Sequence, residues 1–331
     1  MDKIAAQADF LFNRLSKRYR HLKKWARRTG TNAFRLYDRD IPEIPLVLDL
    51  YGDAVSGALY KRPYEKDERE EEAWLSAMRE ACAQALEISE DNIFLKERRR
   101  MRQRQRTGNQ YGKKASQNFY RDVIEGDLTF RVNLSDYLDT GLFLDARKKR
   151  AFIRREAAGK RVLNLFAYTC SLSVAAAKGG ARKVDSVDLS GTYLEWGKIN
   201  FALNGLEAAH SGGFPHTKAP SLIRRDVIQF LDEAAGKRSR WDIIIVDPPA
   251  FSNSKKMRSP LDLRRDHREL IRKSLSLLSP GGTLIFSSSA KGVKIDTADF
   301  PALDVKDIGK DLTDEDFLGK RTPVCYVLTF K

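Results

Sequence analysis

Hydrophobic positions recur along this chain in more than one rhythm. Near the start, Phe10, Leu11, Leu15, Tyr19, Leu22 and Trp25 fall at helical spacing and predict an amphipathic helix over residues 8–28. Short apolar runs then predict strands at Phe34 to Tyr37, Leu46 to Tyr51 and Ala54 to Tyr60. A Glu- and Ala-rich helix follows from Glu65 to Leu86, with Trp74, Ala77, Met78 and Ala81 along one face, and another strand begins at Ile93. These elements predict a basic N-terminal helix over 1–30 and a small α+β domain over 31–135.

Beyond a basic helix from Lys148 to Ala157 the rhythm changes. Short strand-like segments now end in small or acidic residues and lead into helices. Val162 to Phe166 precedes a helix at Leu172 to Lys178, Val184 to Val187 ends in Asp188, Arg225-Asp226-Val227 precedes a helix at Ile228 to Ala235, and Trp241 to Val246 ends in Asp247. Such βα alternation predicts a mostly parallel, doubly wound sheet over residues 136–331, an α/β fold. A long helix holding His267 and ending near Leu278, a Pro280-Gly281-Gly282 turn, a strand through Phe286 and a last strand from Val324 to Phe330 complete it, with a helix and variable loop within the acidic stretch 294–321.

In folds of this kind ligands lie at the carboxyl ends of the strands. Asp188 sits about twenty residues after the first strand's turn, the offset at which a carboxylate grips ribose hydroxyls. Asp226 is placed to accept a hydrogen bond from an adenine amine. The first turn, Asn164 through Phe166, Tyr168, Thr169, Cys170 and Ser171, has no glycine as far as Lys178, so it makes a poor diphosphate cradle. An adenosine compound without phosphate fits better, lined by that turn together with Asp188, Leu189, Asp226 and Val227. At the fourth strand Asp247-Pro248-Pro249-Ala250-Phe251 gives an acid, two prolines that fix φ and remove donors, and an aromatic ring.

This combination resembles the S-adenosylmethionine-dependent methyltransferases, whose catalytic loop carries Asp-Pro-Pro. The resemblance implies S-adenosylmethionine as cofactor, a Rossmann-like methyltransferase domain, and Asp247, Pro248, Pro249 and Phe251 as the catalytic loop, with Asp247 also bordering the cofactor.

Charge adds a partner. Sixty Lys and Arg against 45 Asp and Glu leave a net charge of +15, which favours a polyanion, most simply RNA or DNA. The basic face of the first helix and the run Arg98, Arg99, Arg100, Arg102, Arg104 and Arg106 supply phosphate ligands, with Tyr111 as a stacking surface and Lys113, Lys114, Lys255 and Lys256 as further cations. Three widely spaced cysteines, Cys82, Cys170 and Cys325, exclude a disulfide framework, and the scattered histidines offer no metal site. Lys3, Asp9, Arg14 and Lys17 interrupt any apolar leader, and no apolar run reaches membrane-spanning length, so a reducing, cytoplasmic setting is expected.

A narrower resemblance rests on Thr140-Gly141-Leu142-Phe143-Leu144-Asp145-Ala146-Arg147, His21-Leu22-Lys23-Lys24-Trp25-Ala26-Arg27, Asn109-Gln110-Tyr111, Thr192-Tyr193-Leu194-Glu195-Trp196 and Asp247-Pro248-Pro249-Ala250-Phe251-Ser252-Asn253-Ser254-Lys255. These are similar to the bacterial 23S ribosomal RNA guanine-N7 methyltransferases, the C-terminal half of a fused bifunctional large-subunit enzyme. The likeness covers nearly the whole chain. It implies that Asp145 and Arg147 border the cofactor's methionine end, that the substrate is 23S ribosomal RNA, naked or in an assembly intermediate, and that this is a stand-alone version whose partner methyltransferase is a separate chain. Cys170 stands where most relatives carry glycine, so a Cβ there is expected to crowd the methionine moiety or to demand a different backbone angle, and Ser287-Ser288-Ser289-Ala290-Lys291-Gly292 departs from an asparagine-containing form.

The cysteines also bear on chemistry. Carbon-5 of a pyrimidine needs a covalent cysteine, and none lies in the Asp247 loop or the Ser287 segment. Guanine N7 offers a lone pair and has no proton to lose, whereas an exocyclic base amine remains an alternative acceptor. A non-catalytic RNA-binding or ribosome-assembly factor that keeps the fold is the other reading. His267 is expected on the surface or facing RNA.

Overall fold

The structure is a computed structural model and describes residues 2–60, 67–98, 117–212, 219–252 and 260–331. The described residues fall into two compact units, one of residues up to Leu144 with Glu315–Lys320, the other of Asp145–Asp314 with Arg321–Lys331.

In the first unit, α1 (Lys3–Thr29) is capped by Asp2 and closed by Gly30 in the left-handed region. It buries Leu11, Leu15, Leu22, Trp25 and Ala26 against a four-stranded sheet and α2 (Glu68–Leu86). The strands β1 (Ala33–Asp38), β2 (Leu46–Tyr51), β3 (Ala54–Tyr60) and β4 (Ile93–Arg98) lie in that order, the first two pairings antiparallel and β3–β4 parallel across α2. Trp74 of α2 is fully buried and its indole N–H donates to Gln7 Oε1 at 2.6 Å. A hairpin absent from the sequence reading, β5 (Tyr120–Glu125) with β6 (Leu128–Asn133), turns at Gly126. The buried carboxylate of Asp136 ties its base by accepting from the Gln117 and Asn118 N–H groups and from Asn133 Nδ2.

The second unit is the expected doubly wound sheet. It begins with α3 (Arg147–Glu156), then alternates β7 (Arg161–Leu165), α4 (Ser171–Lys178), β8 (Lys183–Asp188), α5 (Gly191–Leu203), β9 (Ala209–Ser211), β10 (Ser221–Arg224), α6 (Val227–Gly236) and β11 (Trp241–Val246). A two-residue pair, β12 (Phe251–Ser252) and β13 (Leu261–Asp262), leads to α7 (Leu263–Leu275), β14 (Leu278–Ser288), β15 (Leu303–Asp307) and β16 (Val324–Phe330). The sheet order is β15-β16-β14-β11-β7-β8-β10-β9, parallel from β14 to β9 and antiparallel at β16 and β15. Its central strands are buried on both faces, as uninterrupted runs such as Ile243-Ile244-Ile245-Val246 require.

Three local expectations are corrected. Helix α7 stops at Leu275, and Pro280-Gly281-Gly282 is a bulge inside β14, where the register against β11 jumps between Trp241 and Ile243. The acidic stretch 294–321 holds only short 3-10 turns and β15 rather than an α-helix. Its six residues 315–320 pack in the first unit, where Asp316 accepts the Arg35 N–H at 3.0 Å. His267 is buried at 7% exposure with Nδ1 3.0 Å from the Leu263 carbonyl, because it falls on the inner face of α7 with Leu263, Leu270 and Ile271.

Candidate active site

The chain winds from β7 outward through β8 and β10, then returns across the sheet to β11, so the order reverses between β7 and β11. A crevice opens at such a switch point outside the carboxyl ends of the strands. Registry decides which residues border it. Leu165 is level with Val187 of β8 and with Val246 of β11, and Val246 is level with Phe286 of β14. The next residue on each strand therefore forms one row, Asp188, Phe166, Asp247 and Ser287.

The β7–α4 turn is tightly folded and strained. Phe166, Tyr168 and Cys170 have φ of 59°, 51° and 62°, the left-handed region in which a residue with a Cβ loses about 1–2 kcal/mol. The turn is clamped to β8: the Ala167 N–H donates to the Val187 carbonyl at 3.0 Å and the Tyr168 N–H to Asp188 Oδ2 at 2.9 Å. Asp188 Oδ1 accepts the Ser190 N–H at 2.8 Å. Burial nonetheless pushes the Asp188 carboxyl up to about 6, with these N–H donors pulling the other way. Strain held at a ligand-facing turn is a common sign of a binding function.

The sequence predicts that a Cβ at Cys170 either crowds the methionine moiety or takes a backbone angle different from glycine's; Cys170 keeps the left-handed angle that glycine favours, at a φ of 62°. Its side chain is completely buried, so it adds nothing to the crevice surface. The space comes from Gly197 of α5, where an added Cβ would meet Cys170 Sγ at 2.5 Å. Burial raises the Cys170 thiol well above the ordinary range.

The other expected cofactor residues divide by location. Asn164 is buried beneath the turn and donates to Ser173 Oγ at 2.8 Å, which in turn accepts from Ser186. Thr169 is buried and its carbonyl accepts from Asn200 Nδ2 at 2.8 Å. Tyr168 stacks edge-on against Tyr193 at 4.6 Å between ring centroids. Ser171 opens α4, Leu189 is partly exposed after β8, and Val227 is buried in the core. Asp226 caps α6, with Oδ1 accepting the Ile228 and Gln229 N–H groups, a role its place before a helix already signalled. Asp145 lies in a 3-10 turn and Arg147 forms a buried ion pair with Asp314 at 3.0 Å.

At the catalytic loop, Pro248 is buried, Pro249 and Phe251 are half-buried, and Phe251 pairs with Asp262. Asp247 is held by two groups, and the sequence pointed to neither contact. Lys149 Nζ donates to Asp247 Oδ2 at 2.6 Å and to Ser287 Oγ at 2.9 Å, and the Ser287 hydroxyl donates to Asp247 Oδ1 at 2.5 Å. The Lys149 ammonium opposes burial and holds the Asp247 carboxyl below the usual range. A sequence signal for Lys149 existed: it is four residues before buried Ile153 and eight before buried Ala157, on the inner face of α3. Cys325 of β16 pairs directly opposite Ser287 of β14, nearer this loop than its C-terminal place suggested, but burial pushes its thiol up to about 12 and leaves it a poor nucleophile.

Of the expected RNA-binding residues, Arg99, Arg100, Arg102, Arg104, Arg106, Tyr111, Lys113, Lys114, Lys255 and Lys256 lie outside the described residues, as does the side chain of Arg98.

Residues 45–300 match the family model of S-adenosylmethionine-dependent methyltransferases. The chain belongs to that family. The methyltransferase is 43% identical over 322 residues to the ribosomal RNA large subunit methyltransferase K of Neisseria meningitidis, covering 96% of this chain and 86% of that protein. It is 42% identical over 315 residues to the ribosomal RNA large subunit methyltransferase K/L of Pseudomonas putida KT2440, covering 95% of this chain but only 41% of the relative's length. An S-adenosylmethionine-dependent methyltransferase from Streptococcus mutans superposes with a TM-score of 0.70 at 26% identity, over 97% of this chain and 81% of that one. A second solved structure, SMU.776 in complex with S-adenosylhomocysteine, gives 0.71 at 25% identity with the same coverage. The cofactor of this enzyme is S-adenosylmethionine, and the row ending in Asp188 suits it, since a carboxylate with no glycine-rich phosphate cradle beside it favours ribose hydroxyls over phosphate.

Proposed function

We propose that this methyltransferase acts on 23S ribosomal RNA and places the methyl group on N7 of a guanine. The observation that carries the acceptor assignment is the state of Asp247. A carboxylate held low by a buried ammonium is a weak proton acceptor, which suits a ring nitrogen that has a lone pair and no proton to lose. An exocyclic amine would have to shed a proton on methylation.

S-adenosylmethionine, when bound, supplies the methyl group on a sulfonium leaving group. Asp188 holds the ribose hydroxyls, Asp226 faces the adenine amine, and the turn from Phe166 to Ser171 shapes the wall beside the methionine end, with Asp145 and Arg147 bordering it. Phe251 stacks on the guanine while Pro248 and Pro249 keep the loop stiff. The new N7–carbon bond forms as the sulfur–carbon bond breaks, in line, so the chain's contribution is chiefly alignment. The product base is cationic, and the open side of the Asp247 carboxylate lies where that charge develops.

RNA contact is assigned to the basic segment from Arg98 to Lys114, to Lys255 and Lys256, and to α1. The cations of α1 sort into two groups. Arg14 pairs with Asp40, Arg18 donates to the Asp316 carbonyl, His21 and Arg28 reach Glu315, and Lys23 lies over Tyr19. Lys17, Arg20, Lys24 and Arg27 are exposed at 3-4-3 spacing on the face opposite the buried stripe, a row about 15 Å long. Unlike a mixed-sign solvated face, this row is uniformly positive and fits a phosphate backbone.

The test is incubation with methyl-labelled S-adenosylmethionine and unmodified ribosomal RNA or assembly particles, followed by nucleoside mass spectrometry. A gain of 7-methylguanosine is expected. N2-methylguanosine or N6-methyladenosine would overturn the acceptor, and no labelled nucleoside from any of these substrates would overturn the ribosomal RNA assignment.

A further inference from the structure

Helix α3 carries Arg147-Lys148-Lys149-Arg150, and its cations have separate fates. Arg147 pairs with Asp314, while Lys148 points outward and reaches the Thr313 carbonyl at 2.7 Å. Lys149 turns inward and is 7% exposed at its side chain, whereas its partner Asp247 is 29% exposed. The ammonium is thus enclosed and the carboxylate open on one side. Among the described residues, Asp247 is the one carboxylate within ion-pair distance of Lys149. Burying a lone ammonium in a helix–sheet layer is costly unless a partner and further acceptors meet it, and here both do.

We propose that Lys149, assisted by Ser287, is the positioning residue of the methyl-transfer site: together they hold the Asp247 carboxylate in one orientation at the end of β11. The inference rests on the reading of Asp247 as bordering the acceptor base. Each carboxylate oxygen takes one donor, Oδ2 from Lys149 and Oδ1 from Ser287, and Lys149 also bonds Ser287, so the three groups close a ring. Such a ring fixes both side-chain torsions of an aspartate whose backbone has just left a strand and enters two prolines. Methyl transfer demands collinear donor and acceptor atoms, and a displacement of about 1 Å lowers rates by roughly a hundredfold. Ser287 belongs to the segment that departs from the asparagine-containing form, and Lys149 supplies the second donor to Asp247.

Lys149 also sets the charge. Among the described residues, Lys149 from α3 and Ser287 from β14 bond Asp247, and the neutral, buried Cys325 thiol of β16, opposite Ser287, senses its charge. Lys255, Lys256 and Arg258 of the same loop lie outside the described residues. With the ammonium gone, desolvation acts against only one hydroxyl donor, and the carboxyl moves up.

The test compares the wild type with Lys149→Met, Lys149→Arg and Ser287→Ala. Carbon-13 titration of the Asp247 carboxyl, which needs no RNA, is expected to show an upward move of at least one pH unit in Lys149→Met and none in Lys149→Arg. In the methylation assay Lys149→Met is expected to lower kcat at pH 7 by about ten- to a hundredfold and to move the acid limb of the profile to higher pH than in the wild type. S-adenosylmethionine Kd stays within twofold throughout. Ser287→Ala lowers kcat and moves the acid limb upward less than Lys149→Met does. An Asp247 titration unchanged in Lys149→Met overturns the proposal, as does a kcat–pH profile that keeps the wild-type limb. If Lys149→Met does not fold, a wild-type kcat in Ser287→Ala overturns it instead. A wild type that methylates no ribosomal RNA, with the carboxyl titration as expected, sinks the substrate reading alone.

Discussion

Asp188 gives the sharpest quantitative prediction: as the proposed ribose ligand it accepts both hydroxyls best when ionised, yet burial raises its carboxyl to about 6. Protonation then competes with cofactor binding, and the apparent Kd scales as 1 + 10^(pKa − pH) for a ligand that takes only the ionised form. From pH 7.5 to pH 5.0 that factor rises from about 1 to about 11, a loss of about 1.4 kcal/mol. The linked effect on the unliganded fold has the opposite sign. A carboxyl raised from 3.8 binds its proton more tightly in the native state, so its contribution to stability is fullest below the unfolded value and is lost as pH climbs through about 6, up to about 3 kcal/mol in all. Acidification should therefore favour Asp188's share of the fold while weakening its grip on the cofactor. Isothermal titration of S-adenosylmethionine at half-unit steps from pH 7.5 to 5.0 reads the first effect directly. Asp188→Asn, which has no proton to gain in this range, should bind about 10- to 100-fold more weakly at pH 7.5, as expected for charge-assisted hydrogen bonds of about 1.5–3 kcal/mol, and show no slope. A wild-type Kd flat within twofold over that range, or the same slope persisting in Asp188→Asn, would refute the assignment of Asp188 as the ribose ligand.

The Cys170–Gly197 contact predicts a strong pairwise coupling: Gly197→Ala alone should cost about 1–3 kcal/mol through overpacking, and adding Cys170→Gly should recover much of it. Urea unfolding of the four proteins of the cycle measures this, and strict additivity would show that the two side chains do not share the space. Replacing Lys17, Arg20, Lys24 and Arg27 by glutamine should lower the slope of log affinity against log salt for RNA by about 3, at roughly 0.7–0.9 per phosphate contact, while the same change at Arg14 and Arg18 should act on stability instead. Filter binding across a salt series separates the two, and an unchanged slope would remove α1 from the RNA surface. Trp74→Phe should destabilise the protein by about 1–3 kcal/mol, because it strands the buried Gln7 carbonyl oxygen, with thermal unfolding as the readout.

Much of this molecule is decided by local pattern. The runs Val162 to Leu165 and Ile243 to Val246 are mostly apolar because both sheet faces are covered, and such a run between helices has few alternatives to a buried parallel strand, whereas Val184-Asp185-Ser186-Val187 buries two polar residues and is legible mainly from its flanking valines and its place before Asp188. The acids that end them, Asp188 and Asp247, are legible for the same reason, since the carboxyl end of such a strand is where a ligand sits. The fully buried stripe of α1 follows just as directly from its 3.6-residue rhythm. The sequence is less informative where backbone conformation overrides residue preference. Nothing in Phe166, Tyr168 or Cys170 announces a left-handed backbone, and Pro280-Gly281-Gly282 reads as a turn until the pairing with β11 turns it into a bulge.

What only the tertiary structure decided is which distant side chains meet. Lys149 and Asp247 are 98 positions apart, and Ser287 a further 40. Their ring exists because parallel registry sets Val246 level with Phe286 while α3 lays its inner face over the same strand ends. Gly197 likewise looks like an ordinary helical glycine until the turn at Cys170 comes to rest against it. Periodicity is a short-range property, fixed by the geometry of a few consecutive peptide units, so the chain alone determined its elements and the acids at their ends. The charge state of Asp247 and the tolerance of a cysteine in a glycine's conformation are set by contacts between elements, and they came into being only when the sheet was assembled.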